Sequence, residues 1–247
     1  MALYRERGVV LRTYKLGEAD RIVSFVTEGH GKVRAVAKGV RKTKSRFGSR
    51  LEPTSHVQLQ LYEGRGDLGI VTQTESIDSF RSIREDLDRL GKAIVLLEAV
   101  DQMAQENQPL PELYRMLVGA LRTLDDADSE LLVPAFLLKL LALEGFSPTL
   151  DRCVVGGETT ADLAFFDVDR GGAVCNDHRR GRPISPEGLA VMRAVLGGGL
   201  TVVLEIEVSP VTHEVDDVVN RLYERHIERR LRSAHVLDSE GLRGLPG

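Results

Sequence analysis

The hydrophobic period of this chain changes once, near Phe80, and that change limits what each part can fold into. Before it, apolar residues alternate with polar ones, as Val57, Leu59 and Leu61 do with His56, Gln58, Gln60 and Tyr62. Successive side chains of an extended backbone point to opposite faces, so this alternation belongs to a sheet with one buried face. Strands are expected over residues 8–14, 21–27, 33–37, 56–62 and 69–74, with turns at Gly17, Gly29-His30-Gly31 and Gly64-Arg65-Gly66. Five short strands in about 70 residues suggest a small closed barrel of the OB type, which binds nucleic-acid strands on its second and third strands and nearby loops.

After Phe80 the apolar steps lengthen to three and four. Helices are expected over 82–107, with Leu87, Leu90, Ile94, Leu97 and Val100 on one stripe, over 111–124, and over 129–144 between a Ser129 N-cap and a Gly145 stop. Residues 131–143 are almost wholly apolar, as in a helix at the centre of a bundle. Helical signals return at Ser185-Pro186, where proline suits the first helical position, and over 214–232, while Gly197-Gly198-Gly199 reads as a turn. The fold class expected is α+β: an OB-fold nucleic-acid-binding domain over 1–79, a helical domain over 80–146 and 183–240, and a cysteine-containing insert over 147–182.

Charge is distributed unevenly. Residues 32–50 hold eight basic residues and no acidic one in a chain of net charge −4, so the remainder has 25 basic against 37 acidic residues. A positive field confined to one segment, starting in the third strand and running through the loop after it, is a site for a polyanion. Lys38, Arg41, Lys42, Lys44 and Arg46 are the candidates for phosphate contact, with Lys32, Arg34 and Arg50 at the margins. Phe47 either stacks on a base or tucks beneath the loop as an anchor.

The two cysteines lie in the insert as Cys153-x2-Gly156, then 18 residues, then Cys175-x2-His178. This is the spacing of a zinc ribbon with Gly156 where the second ligand belongs. Cys153, Cys175 and His178 would be the metal ligands, and Asp177, Glu158 or a water the fourth donor. Structural zinc sites are closed by four ligands, so the expectation is an insert without stoichiometric zinc, held by Val154, Val155, Phe165 and Phe166.

Three further stretches carry a resemblance. Gly17-Glu18-Ala19-Asp20-Arg21-Ile22-Val23, the turn Glu28-Gly29-His30-Gly31-Lys32, and Ala35-Val36-Ala37-Lys38-Gly39-Val40-Arg41-Lys42 with Ser45-Arg46 and Leu51 closely resemble the bacterial recombination mediator family RecO. The resemblance implies a protein of DNA repair and homologous recombination that binds single- and double-stranded DNA and anneals complementary strands. It implies as partners RecR, the acidic C-terminal tail of single-strand-binding protein and, indirectly, the RecA recombinase. Many relatives carry C-x2-C…C-x2-C or C-x2-H in the insert, from which Gly156 departs.

Other functions have little support. No Gly-x-x-x-x-Gly-Lys-Ser/Thr loop offers nucleotide hydrolysis, and no His-x-Glu or His-Glu-x-x-His accompanies the cysteines, so no enzyme is expected. His30, His56, His213, His226 and His235 are dispersed. With two cysteines, no apolar run of about 20 residues and no secretory signal, a cytoplasmic protein is expected, without disulfides or membrane. The alternative is an RNA-binding OB protein of translation or RNA decay, since charge alone does not distinguish the sugars.

Overall fold

The computed structural model describes residues 3–63, 68–159 and 162–228. The Gly64-Arg65-Gly66 turn, His235 and the ends of the expected last helix and helical domain, residues 229–232 and 229–240, lie outside the described residues. The chain divides into two compact units at Asp126 and Ala127. The helices between Phe80 and Asp126 thus group with the barrel, whereas the sequence reading draws its boundary at residue 79.

The first unit contains the expected barrel, with strands β1 (Leu3–Leu16), β2 (Asp20–Thr27), β3 (Gly31–Ala37), β4 (His56–Tyr62) and β5 (Gly69–Asp78). They close in the order β1-β2-β3-β5-β4. Closure depends on β1, whose first half pairs with β4 (Leu3↔Tyr62 to Val9↔His56) and whose second half pairs with β2 (to Leu16↔Asp20). Gly8 and Val9 pair with both neighbours, and a bulge between Val10 and Arg12 interrupts the β1–β2 ladder just beyond them. The β3–β5 contact is parallel, Ala35 facing Gly69 and Val36 facing Ile70. Val10, Val23, Phe25, Val33, Ala35, Ala37, Val57, Leu59, Leu61 and Val71 point inward as the core.

Three helices follow: α1 (Arg81–Glu85), α2 (Leu87–Met103) and α3 (Pro111–Asp126). The single helix expected over 82–107 is broken at Asp86, whose extended backbone lets its carboxylate accept from the Arg89 amide and cap α2. The expected stripe holds at Leu97 and Val100 and fails at two positions. Leu87 is 63% and Ile94 40% exposed, and the buried face is Ala93, Leu96, Leu97 and Val100. The helix packs on β1.

In the second unit, α4 (Leu132–Leu143) is buried along nearly its whole length and packs on α5 (Pro186–Leu196) and α7 (Pro210–Ile227), with the short α6 (Leu200–Leu204) between those two in the chain. Ser129 does not cap α4. The cap position is Leu131, and the Ser129 hydroxyl accepts from the Leu131 amide. Ser185 caps α5, accepting from the Gly188 amide at 3.0 Å. Helix α7 starts four residues before the expected Glu214, because Ser209 and Thr212 form a reciprocal capping box. The insert, read from sequence as irregular, holds a three-stranded sheet in the order β7-β6-β8: β6 (Leu163–Asp167), β7 (Gly172–Cys175) and β8 (Arg182–Pro183).

Candidate nucleic-acid interface

The basic loop leaves β3 at Ala37 and is pinned rather than loose. Val40, Phe47 and Leu51 enter the barrel core, so apolar side chains hold it at its start, middle and end. Its first turn docks on the hairpin between β1 and β2. The Gly39 amide donates to the Asp20 carboxylate at 2.7 Å, the Arg41 amide to the Ala19 carbonyl at 3.0 Å, and the Arg41 guanidinium to the Glu18 carbonyl at 2.9 Å.

Burial decides between the two roles read for Phe47. At 1% exposure its ring is a core anchor and presents no face for a base. The guanidinium of Arg46 lies over the ring, 4.9 Å from its centroid.

The eight basic residues separate into two groups. Lys32 and Arg34 project from β3 toward the end of α2, where Lys32 pairs with Asp101 at 3.1 Å and Arg34 with Glu106 at 2.7 Å. Asp101 also meets Arg12 at 3.4 Å. These cations fasten the barrel to its own helix. Lys38, Arg41, Lys42, Lys44, Arg46 and Arg50 are exposed, and none pairs with a carboxylate among the described residues. Six exposed positive groups without a carboxylate ion pair among the described residues make this end of the barrel its cationic surface.

Beside the loop lies a feature that the sequence analysis did not single out. Tyr14, Ile22, Val36 and Ile70 are in direct register across β1, β2, β3 and β5. Their neighbours Val23, Ala35 and Val71 point into the core, so these four face outward. Tyr14 is 46% exposed. The row lies between the residues covered by α2 and the basic loop. Period-2 alternation marks Tyr14 as outward-facing only once the strand register is known.

In the insert, donor atoms of Cys153, Glu158, Cys175 and His178 all lie within 4.8 Å of one another. His178 Nδ1 is 3.4 Å from the Cys153 sulfur and 3.1 Å from the Cys175 sulfur. Ligands of a tetrahedral zinc with bonds of 2.0–2.3 Å stand about 3.5 Å apart, so this soft donor set fits that ion. Of the three fourth donors read from sequence, Glu158 belongs to the cluster and Asp177 does not. Burial pushes the Cys153 thiol up, but hydrogen bonds from the backbone at Gly156, Cys175 and Val155 and from the Cys175 side chain bring it down to about 7. A thiol so placed readily gives the thiolate that binds metal.

The closed barrel with its cationic loop defines a protein of the OB type, joined here to a helical unit. Family models described as "Recombination protein O N terminal" and "Recombination protein O C terminal" match residues 1–80 and 84–235. The DNA repair protein RecO of Bifidobacterium longum strain DJO10A is 41% identical over 245 residues, covering 97% of this chain and 100% of its own length. RecO of B. longum subsp. infantis is similar to the same extent. The chain belongs to the RecO family of DNA repair proteins. No described helix is long and apolar enough to cross a membrane.

Proposed function

We propose that the chain binds single- and double-stranded DNA at the loop end of its barrel, anneals complementary strands, and acts with RecR to place RecA on DNA covered by single-strand-binding protein. The observation that carries this reading is the group of six exposed cations, Lys38, Arg41, Lys42, Lys44, Arg46 and Arg50, without a carboxylate partner. Two complementary strands repel through their phosphates. A surface that neutralises both and leaves base edges free lets them pair without any bond being made or broken, so no catalytic group is needed.

Phosphates would follow the loop while bases lie over the outward row led by Tyr14. Phosphate contacts position a strand without reading it, so sequence preference should be slight. Family membership supports the remaining partners, with the acidic tail of single-strand-binding protein placed on the helical part and the protein working in the cytoplasm.

The test is an annealing time course with complementary oligonucleotides coated by single-strand-binding protein, run beside competition between matched DNA and RNA. Faster annealing and preference for DNA are expected. Absence of annealing together with preference for RNA would replace this reading with an RNA-binding one.

A further inference from the structure

We propose that Glu158 is the fourth ligand of a zinc ion held by Cys153, Cys175 and His178, and that Gly156 is glycine because the Glu158 carboxylate stands where its side chain would begin. A Cβ built on Gly156 would overlap both carboxylate oxygens of Glu158. In this arrangement a side chain at 156 would displace the Glu158 carboxylate from the point it occupies. The ligand missing from the Cys153-x2-Gly156 pair has moved two residues along the chain and returns to nearly the same point in space.

The backbone accounts for that return. The Cys153 amide donates to the Glu158 carbonyl at 2.9 Å, and the Gly157 amide donates to the Cys153 carbonyl at 2.8 Å. These two bonds fold residues 153–158 into a tight loop whose ends both reach the cluster. Cys153 and Cys175 are buried, whereas Glu158 and His178 are exposed. Two thiolates thus form the floor of the site, and a carboxylate and an imidazole close it from the solvent side.

Charge and size agree with this assignment. Replacing a thiolate by a carboxylate keeps three anionic ligands beside a neutral imidazole, so the zinc complex has the same net charge as a Cys3His site. The insert's sheet has strands of five, four and two residues around a cluster of Cys153, Val174 and Cys175 with Val154, Leu163 and Phe165. A core this small ordinarily needs a metal or disulfide to hold it, and both cysteines are free thiols.

The test measures metal on the full chain, apart from DNA. Wild-type protein is expected to carry one zinc by elemental analysis. Glu158→Ala should bind zinc about 100-fold more weakly in chelator competition, a share of the binding free energy consistent with one ligand of four. The double substitution Gly156→Cys with Glu158→Ala should recover tight binding, with stronger thiolate-to-metal absorption after Co²⁺ replacement. Zinc-free wild-type protein at equimolar zinc, or equal affinities of wild type and Glu158→Ala, would overturn the proposal. If Glu158→Ala does not fold, the wild-type Co²⁺ spectrum decides: a four-coordinate, two-thiolate ion supports Glu158, and a six-coordinate ion rejects it.

Discussion

His56 Nε2 on β4 lies 2.6 Å from the hydroxyl of Tyr114 on α3, a buried hydrogen bond between the barrel wall and a helix of the same unit. The other ring nitrogen, Nδ1, is 2.7 Å from Asp78, which also receives Arg122 at 2.9 Å. With Nδ1–H donating to the carboxylate, the neutral ring accepts from Tyr114. Burial pushes the Tyr114 phenol up to about 12, so it remains a donor.

The arrangement gives the barrel unit an acid-sensitive joint. Burial holds His56 below its ordinary 6.5 despite Asp78, so below that pH the unfolded chain binds the extra proton more readily. The stabilisation is complete above 6.5 and is lost as pH falls through the lower folded value. Melting temperatures near pH 7.5 and near pH 5.5 should therefore differ more in wild type than in His56→Gln. Equal acid sensitivity in the two proteins would remove His56 as the cause.

Alanine at Lys38, Lys42 and Lys44 should weaken single-stranded DNA binding for all sequences alike and leave the fold intact. At roughly 0.7 per phosphate on single strands, the slope of log affinity against log salt should become shallower by about 2. Arg41 is omitted because its guanidinium also holds the neighbouring hairpin. An unchanged slope in the folded triple variant would move the DNA to another surface.

Phe47 and Tyr14 should respond in opposite ways. Phe47→Ala should cost about 3–5 kcal/mol of stability as a core truncation, whereas Phe47→Leu should fold and retain its DNA affinity. Tyr14→Ala should melt nearly as wild type but bind single strands about 10-fold more weakly, within the usual range for one lost base stack. Loss of affinity in folded Phe47→Leu, with Tyr14→Ala unaffected, would reverse these roles.

Gly31→Ala should be among the most damaging single substitutions in the barrel unit. Gly31 has φ +65°, and a Cβ there would collide with the Gln108 carbonyl. Next to it, the Lys32 amide donates to the Gln105 carbonyl and the Asn107 amide to the Lys32 carbonyl. Left-handed strain and overpacking of about 1–3 kcal/mol each should lower stability by at least about 2 kcal/mol in urea unfolding. A wild-type midpoint would show that residues 105–108 move aside at little cost.

The barrel was legible because its strands carry a one-sided pattern. Val33, Ala35 and Ala37 alternate with Lys32, Arg34 and Val36, and one buried face imposes that order directly. The start of β1 was missed because Leu3, Tyr4, Arg5, Glu6 and Arg7 owe their strand state to pairing with β4, a partner more than fifty residues away. The α2 stripe was legible only in part for a related reason. Helical spacing groups Leu87 and Ile94 with Leu97 and Val100, but only the latter two are buried, because which edge of the stripe is covered depends on the packing of the whole unit. At the candidate site, the uneven distribution of charge showed the cationic loop but could not show that Asp101 and Glu106 claim two of its cations, because ion pairing depends on tertiary position. Nor could spacing choose Glu158 over Asp177, since the choice depends on the turn at residues 153–158.

Barrel closure also sets a kinetic order. The seam joins Leu3 to Tyr62, and the parallel contact joins Ala35 to Gly69. Pairings so distant in sequence form late, after the entropy of closing long loops has been overcome. Val40, Phe47 and Leu51 find their places only in the core that this closure completes. In a nascent or unfolding chain, residues 38–50 are therefore an extended polycation, free to follow any anion. Once the seam shuts, the same charges become a fixed surface beside Tyr14, and grip on a single strand should appear in the same kinetic phase as the barrel itself.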